Sequence, residues 1–251
     1  MTTDTRPKIA SRQIDSEGIT VTLTGIAKGS GMIQPDMATM LAFIATDGHA
    51  EQDFLLSTLQ TAADQSFNRI TVDGDTSTND SCMLTATGFS GVDLLLPDVA
   101  TKFQTALNSL MLELAQGIVR DAEGATKFVE VRVQGGRSVN YCLKIAYSIT
   151  NSPLIKTALF AGDANWGRLI MAIGKAGVDI DINKVDVFIG DVQILRRGGK
   201  HPDYTEEAGT AVMSSEDIVI TVELNLGDYA ESVWTSDLSH DYVSINSEYR
   251  T

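Results

Sequence analysis

One stretch of the sequence, Gly25–Asp47, combines residue types that could do chemistry. It reads GIAKGSGMIQPDMATMLAFIATD, in which Lys28 and a glycine-rich loop precede an apolar run interrupted by one polar residue, Thr39. A hydroxyl placed just after a flexible loop that carries a lysine suits a nucleophile. The alternative is structural, since threonine is β-branched and is common in strands for packing reasons alone. Lys28 is likewise open to two interpretations, an ordinary surface lysine or a group that holds a carboxylate.

The bond between Ala38 and Thr39 joins a small residue to a hydroxyl residue, the type of bond that a chain can cut by itself. The Thr39 hydroxyl would attack the Ala38 carbonyl, and the resulting ester would be hydrolysed. A chain that then begins at Thr39 has a free α-amine with a pKa of about 7.7–8.0, which can take the proton from its own hydroxyl. This chemistry strengthens the case for Thr39 as a nucleophile, and the strand interpretation stays open.

A conventional base for such a nucleophile is not apparent in the sequence. The three histidines, His49, His201 and His240, are scattered, and neither a Ser–His–Asp order nor an HExxH motif occurs. Their absence favours the α-amine of Thr39 over a catalytic triad.

An acidic loop, Asp73–Asp80, has the sequence DGDTSTND. Asp73 and Asp75 fit the first and third positions of a calcium-binding loop, but Thr78 stands where the loop needs glycine and Leu84 where it needs glutamate. We therefore expect a structured polar loop near the site and no metal. The alternative is an acidic turn whose side chains bond to local backbone.

The composition is that of an ordinary globular protein. The 251 residues are 43% hydrophobic and 21% charged, with 19 basic and 33 acidic residues and a formal net charge of −14. A chain this long can bury roughly 70–75% of its unfolded surface, so a core needs no metal or disulfide. The negative charge would repel nucleic acid and anionic membranes, and we expect neither as a partner.

Cysteine usage and hydropathy predict a cytoplasmic protein. Cys82 and Cys142 lie far apart and have no metal-type spacing, which is typical of reduced cysteines in a core. The sequence has no apolar run of 18 residues and no signal-peptide pattern, so we expect no membrane span and no secretion.

Hydrophobic periodicity predicts the remaining elements. Residues 2–12 are expected to form a polar turn and a connection. Strands are expected at 19–26, 37–46, 70–72, 81–88, 129–133, 155–160, 217–224 and 233–235, with a hairpin at 185–195 that turns at Gly190–Asp191. Helices are expected at 51–68, 97–120, 139–149, 166–176, 206–213 and 241–249.

This mixture of hairpins and helices predicts an α+β fold with layered sheets rather than a doubly wound parallel sheet. A boundary is expected near residue 134, between a core over 1–134 that carries Thr39 and a smaller α+β subdomain over 135–251. Glu123 follows the long helix and precedes Gly124, which suits a helix end. From spacing alone, Glu123 is either a solvated carboxylate or a site residue.

The stretch around Thr39 closely resembles the self-cleaving segment of the glutamate N-acetyltransferase (ornithine acetyltransferase) family of arginine biosynthesis. The resemblance runs from the first residue to the last, in order. Further matching stretches are MTTDTRPK at 1–8, SFNRITVDGDTSTND at 66–80, RDAEGATKF at 120–128, GDANWGR at 162–168 and DLSHDYVSINSEYRT at 237–251. The resemblance implies the layered α+β fold that this family shares with self-cleaving aminopeptidases.

The resemblance assigns roles to individual residues. It implies that Thr39 is cut from Ala38 and becomes the acyl nucleophile. It also implies that a set of residues binds substrate together with Thr39: Thr2, Lys28, Glu123, Asn246 and Thr251. Glu123 is expected to contact the substrate amine or to handle a proton. A carboxylate, a lysine and hydroxyls suit a small amino acid that carries both an ammonium and a carboxylate.

The implied reaction transfers an acetyl group from N2-acetyl-L-ornithine to L-glutamate by a ping-pong mechanism, through an acetyl ester on Thr39. No cofactor is expected. Some family members also use acetyl-CoA as donor, and the sequence leaves that choice open. The resemblance further implies that the two halves of the cut chain stay together in an α2β2 assembly.

The family also has a Thr-Gly pair, upstream of the TTDT motif, that forms an oxyanion hole. We expect this chain to lack that pair and most of the α segment that precedes the cleaved bond. The loss of an oxyanion donor costs roughly 10²–10³ in turnover, and missing partner strands would leave an apolar face exposed. The alternatives to an active acetyltransferase are therefore an inactive fragment or assembly subunit of that enzyme, and a self-cleaving aminopeptidase.

Overall fold

The computed structural model describes residues 3–34, 40–76 and 79–248. The chain divides into two compact units, Met1–Ala122 and Glu123–Thr251. Each unit has a sheet with helices packed against it, which confirms the predicted α+β class with layered sheets. The domain boundary expected near residue 134 lies inside the strand Phe128–Gly136 and stays a prediction.

The first unit contains five strands and two α-helices among the described residues. In chain order they are β1 (Lys8–Ser16), β2 (Ile19–Lys28), β3 (Leu41–Thr46), α1 (Gln52–Asp64), β4 (Ile70–Thr71), β5 (Ser81–Ala86) and α2 (Pro97–Arg120), with a short 3-10 turn at Phe67–Arg69. One sheet has the order β1-β2-β3-β5. The β1–β2 and β2–β3 pairs are antiparallel, and the β3–β5 pair is parallel.

Helix α2 packs on the inner face of this sheet, against β1 and β2. The alternation of β2 turns Val21 and Leu23 inward, where both are fully buried. The helix approaches β2 most closely at Gly25, where an added Cβ would come within 2.8 Å of a Leu110 methyl group. A side chain at position 25 would therefore push α2 off the strand.

The outer face of the same sheet carries exposed apolar residues. Strand pairing aligns Ile9 with Ile26, Ile26 with Phe43, and Phe43 with Met83, so these four residues form one row across the sheet. Their exposed fractions are 62%, 49%, 45% and 51%, respectively. We call these four residues the outer apolar row. A contiguous exposed apolar patch is typical of a surface that is covered by a partner.

Besides a short 3-10 turn at Ile182–Lys184, the second unit contains the remaining strands and α-helices. They are β6 (Phe128–Gly136), α3 (Val139–Thr150), α4 (Pro153–Ala161), α5 (Trp166–Gly174), β7 (Asp186–Ile189), β8 (Val192–Arg196), β9 (Gly199–Lys200), α6 (Glu206–Met213), β10 (Asp217–Glu223), β11 (Tyr229–Ser236) and α7 (His240–Glu248). Within this unit the strands lie in the order β11-β6-β10-β7-β8-β9. Helix α3 packs on β6 and β11 and closes an apolar core around Val131, Ile145 and Ile220.

Two predictions of local structure were wrong. Residues 155–160 belong to helix α4, which begins at a proline and ends before Gly162 in the left-handed conformation, not to a strand. Periodicity cannot separate a strand from a helix in so short an apolar run. Residues 8–12 belong to strand β1, not to a connection. The alternation was hidden because Lys8 occupies an inward position that is normally apolar.

Most other predicted elements are confirmed, and helices α2 and α6 agree with the prediction at both ends. Strand β9 was missed because two residues carry no periodic signal. No helix within 3–34, 40–76 and 79–248 is long and apolar enough to cross a membrane.

Candidate active site

Lys28 ends strand β2 and leads into the glycine-rich loop. Its backbone pairs with Leu41 of β3, so the strand register places Lys28 beside the residues that follow Thr39 in the sequence. The Lys28 charge contributes to the lowered pKa of Asp4, and it opposes the burial that raises the pKa of Asp80. Lys28 is therefore a cation within electrostatic reach of two carboxylates that approach the loop from different segments.

A buried network of ion pairs and hydrogen bonds holds the glycine-rich loop in place. Lys8 is 7% exposed, and its ammonium donates hydrogen bonds to Asp4 at 2.6 Å, to Asp121 at 2.5 Å and to the Gly29 carbonyl at 3.0 Å. Asp4 also accepts a hydrogen bond from the Gly29 N–H at 2.9 Å. The Thr3 and Ser30 hydroxyls share a hydrogen bond of 2.6 Å. Thr3 and Asp4 thus fix the glycine-rich loop that follows Lys28.

Both carboxylates of this network are held in the charged form. Burial by itself would raise the pKa of Asp4, but hydrogen bonds from Lys8 and Gly29 and the charge of Lys8 lower it below its ordinary value of 3.8. Burial would likewise raise the pKa of Asp121, and hydrogen bonds from Lys8 and Thr5 lower it. A buried lysine with two ionised partners is the geometry in which removal of one member costs most.

The acidic loop contacts both sides of the segment that contains Thr39. On one side, Asp73 accepts hydrogen bonds from the backbone N–H groups of Met32 at 2.7 Å and Ile33 at 3.0 Å. On the other side, Asp80 accepts a hydrogen bond from the N–H of Met40 at 2.7 Å. Asp73 also bonds locally to the N–H of Asp75 at 3.3 Å. The acidic loop therefore bonds to backbone on both sides of the Thr39 segment as well as to its own backbone.

Among the described residues, the carboxylate of Asp80 has an unpaired buried oxygen and a raised pKa. One of its oxygens is buried and has no hydrogen-bond partner in the described part of the chain. Burial raises the pKa of Asp80 to about 6, against the opposing effects of the Met40 N–H and the Lys28 charge. A carboxylate with a raised pKa and a free oxygen is a candidate for proton transfer or for binding a cation.

A cavity of about 500 Å³ lies beside Asp80. Its lining includes the apolar residues Ile33, Met40 and Phe67 together with Asp80 and Cys82. Burial raises the pKa of the Cys82 thiol to about 12, so this thiol stays protonated and unreactive. The cavity is large enough for a small molecule.

The second unit brings two predicted site residues together. The Asn246 side chain donates a hydrogen bond to the Glu123 carboxylate at 2.7 Å. Helix α7, which carries Asn246, is anchored by Ser239, whose hydroxyl donates to the Gly124 carbonyl at 2.6 Å and accepts from the Tyr242 N–H at 3.3 Å. Gly124, whose carbonyl accepts the hydrogen bond from Ser239, has a φ of 66°, a left-handed conformation that favours glycine. The substrate-binding roles of Glu123 and Asn246 stay predictions.

Four of the predicted site residues, Thr2, Ala38, Thr39 and Thr251, lie outside the described residues. Among the residues that the structure does describe, no group of three or more His, Cys, Asp or Glu side chains could hold a metal ion.

Sequence reasoning missed the contributions of Asp4, Lys8 and Asp121. Nothing in local spacing predicts that a lysine in a strand will be buried between a carboxylate four residues earlier and one that is 113 residues away. The available signal was that all three residues lie in the motif stretches TTDTRPK and RDAEGATKF.

Comparison with known proteins identifies the family. The model of the ArgJ family matches residues 1–251. The chain belongs to the ArgJ family. Two relatives share the name arginine biosynthesis bifunctional protein ArgJ. The one from Pseudomonas fluorescens (strain Pf0-1) is 54% identical over 255 residues, and the one from Psychrobacter arcticus is 50% identical over 254 residues.

Each match covers the whole of this chain. It covers only 63% of the first relative and 62% of the second, so the chain spans less than two thirds of their length. The fold agrees with a crystal structure of arginine biosynthesis bifunctional protein ArgJ from Bacillus halodurans. That structure is 38% identical, with a TM-score of 0.78 over 82% of this chain and 98% of the other.

Proposed function

We propose that this chain is the nucleophile-bearing part of an acetyltransferase that moves an acetyl group from N2-acetyl-L-ornithine to L-glutamate. The observation that carries the proposal is the match to the ArgJ family along the whole chain. The named relatives are arginine biosynthesis proteins. The anchored loop of Lys28, next to the residues that follow Thr39, supports the same assignment.

The first step is cleavage of the Ala38–Thr39 bond. The Thr39 hydroxyl adds to the Ala38 carbonyl, the C–N bond breaks, and the hydroxyl proton passes to the departing amine. Water then hydrolyses the ester, which leaves a carboxylate on Ala38 and restores the Thr39 hydroxyl. The new α-amine is the base that the second step needs.

The second step is acetyl transfer. The α-amine of Thr39 takes the hydroxyl proton as the oxygen attacks the acetyl carbonyl of N2-acetyl-L-ornithine. Ornithine leaves with that proton, and an acetyl ester remains on Thr39. The uncharged amine of L-glutamate attacks this ester, loses a proton and leaves as N-acetylglutamate, and Thr39 regains its hydroxyl.

The remaining site residues are proposed to recognise the amino-acid part common to both substrates. Lys28 pairs with the α-carboxylate, because it directly precedes a loop that Asp4 and Lys8 hold at Gly29. Glu123, oriented by Asn246, receives the substrate amine. Thr2 and Thr251 supply further hydrogen bonds.

The complete protein is proposed to include a partner segment that corresponds to the rest of the relatives' length. This segment would supply the oxyanion-hole Thr-Gly pair and would cover the outer apolar row. Burial of apolar surface yields roughly 25 cal/mol per Å², so covering the exposed parts of these four side chains favours association with the segment. We infer an α2β2 assembly of the cut halves and a cytoplasmic location, where Cys82 and Cys142 remain the free thiols that they are in the structure.

The proposal is tested with the chain co-expressed with the relatives' remaining segment. Label from L-glutamate should appear in N-acetylglutamate when N2-acetyl-L-ornithine is added, without any added cofactor. Thr39→Ala should abolish transfer, and Thr105→Ala, an exposed position on α2, should not. Substitution of acetyl-CoA for acetylornithine then shows whether it serves as a second donor. Transfer by Thr39→Ala at the rate of the unchanged protein would refute the proposal.

A second candidate is a subunit or fragment that binds ligand weakly and turns nothing over. The exposed outer apolar row and the partial coverage of the relatives favour it for the chain on its own. The same assay distinguishes the two, because a subunit that turns nothing over gives no labelled product even when the segment is added, whereas a fragment that lacks only this segment becomes active.

A further inference from the structure

The two ends of the acidic loop contact opposite sides of the segment that is proposed to be cut. Asp73, the first residue of the loop, bonds to the backbone before this segment, and Asp80, the last residue, bonds to the backbone after it. Backbone hydrogen bonds extend both contacts. The Val72 N–H donates to the Ile33 carbonyl at 2.8 Å, and the Ser81 N–H donates to the Met40 carbonyl at 3.1 Å.

On the upstream side, Asp73 stabilises an unfavourable backbone conformation. Met32 has a φ of 56°, in the left-handed region that residues with a side chain rarely adopt. Such a conformation persists only where its surroundings impose it. The two oxygens of Asp73 bond separately to the N–H groups of Met32 and Ile33, which fixes this turn.

On the downstream side, Asp80 fixes the first described residue after Thr39. Its hydrogen bond to the Met40 N–H is made at 2.7 Å, the length of a strong bond to an ionised acceptor. Met40 directly precedes strand β3, so Asp80 holds the backbone at the point where the strand begins.

We propose that Asp73 and Asp80 form a two-ended clamp that holds both sides of the Ala38–Thr39 bond in place before and after the bond is cut. The clamp rests on the proposed self-cleavage. Both residues are positioning residues, since they contact backbone N–H groups rather than the reacting atoms.

The clamp has a consequence for the cut protein. After cleavage, Met32 and Ile33 belong to one piece, whereas Asp73 belongs to the other. Their hydrogen bonds become contacts between two chains and hold the upstream piece, at Met32 and Ile33, to the piece that begins at Thr39. The acidic loop thus takes over the role of the covalent bond that is lost.

The clamp is tested first by hydrogen exchange in the complete protein carrying Thr39→Ala, which cannot be cut. Asp73→Ala should speed exchange of the Met32 and Ile33 amides but not that of the Met40 amide. Asp80→Ala should speed exchange of the Met40 amide but not that of the Met32 and Ile33 amides. Asp75→Ala is the matched control, because Asp75 is exposed in the same loop. Equal exchange in all three variants would overturn the proposal.

The second measurement is the cleavage rate of the same substitutions in the otherwise unchanged protein, followed by intact mass. Asp73→Ala and Asp80→Ala should each slow cleavage by about tenfold or more, the factor expected for loss of a hydrogen bond to a charged acceptor. Asp80→Asn should restore most of the rate, since its amide oxygen can still accept from Met40. Cleavage of both alanine variants at the control rate would contradict the clamp.

The two proposals fail separately. If the unchanged complete protein is never cut, the proposed function is rejected. The exchange data on the Thr39→Ala background still show whether Asp73 and Asp80 hold the two flanks, and they decide on the clamp without reference to cleavage.

Discussion

Replacement of Lys8 by methionine should destabilise the first unit strongly. The change keeps an unbranched side chain of nearly the same length but removes the charge that lies between Asp4 and Asp121, whose side chains are 1% and 3% exposed. Two buried carboxylates would then lack their main counter-charge. Removal of one partner from a buried ion pair costs about 3–5 kcal/mol, which for a unit of this size lowers the melting temperature by roughly 10–20 °C.

The loss of stability in Lys8→Met should be larger at neutral pH than at acidic pH. In the unchanged protein the pKa values of Asp4 and Asp121 are lowered below 3.8, so their contribution to stability is complete above that pH and is lost as the pH falls through the lowered values. In Lys8→Met, burial without the lysine raises these pKa values, and protonation relieves the repulsion. The stability difference between the two proteins should therefore be largest at neutral pH and should shrink below about pH 4.

The assay is thermal and chemical unfolding of the two proteins between pH 3 and pH 8. Lys102→Met is the matched control, because Lys102 is exposed in the same unit and such a change usually stays within about 0.5 kcal/mol. If Lys8→Met is no less stable than Lys102→Met at neutral pH, the buried network does not hold the loop as described.

Three further predictions concern packing, the second unit and the outer face. Gly25→Ala should destabilise by about 1–3 kcal/mol, because its Cβ would meet a Leu110 methyl group at 2.8 Å, and denaturant titration measures the loss. Asn246→Ala should raise the KM for glutamate more than it lowers kcat, since it frees the Glu123 carboxylate without touching the nucleophile; equal effects on both constants would contradict this role. Phe43→Ser should reduce aggregation of the chain alone but weaken its capture of the partner segment. A pull-down assay measures the capture, with Ser11→Ala on the same sheet as the control variant.

Elements with a complete local signal were predictable from the sequence. Helix α2 begins at Pro97, a residue suited to the first helical turn, and keeps an apolar face through Phe103 and Leu110 to Ile118. Strand β2 alternates cleanly between apolar and threonine positions. Where both periodicity and end signals are present, local sequence and fold agree.

Elements and contacts that depend on distant residues were not predictable in this way. Helix α4 looks like a strand because its apolar run is short, and only Pro153 and Gly162 mark its ends. The burial of Lys8 depends on Asp121, which is far away in the sequence. The resemblance pointed to the acidic loop Asp73–Asp80, but only the structure reveals which backbone groups its two ends hold.

The most direct test of the central claim is the intact mass of the chain, co-expressed with the relatives' remaining segment and then mixed with N2-acetyl-L-ornithine. The account predicts two pieces separated between Ala38 and Thr39, with one acetyl group on the piece that begins at Thr39. Addition of L-glutamate should remove that acetyl group. A single uncut chain that carries no acetyl group would contradict the assignment of Thr39 as the nucleophile of an acetyltransferase.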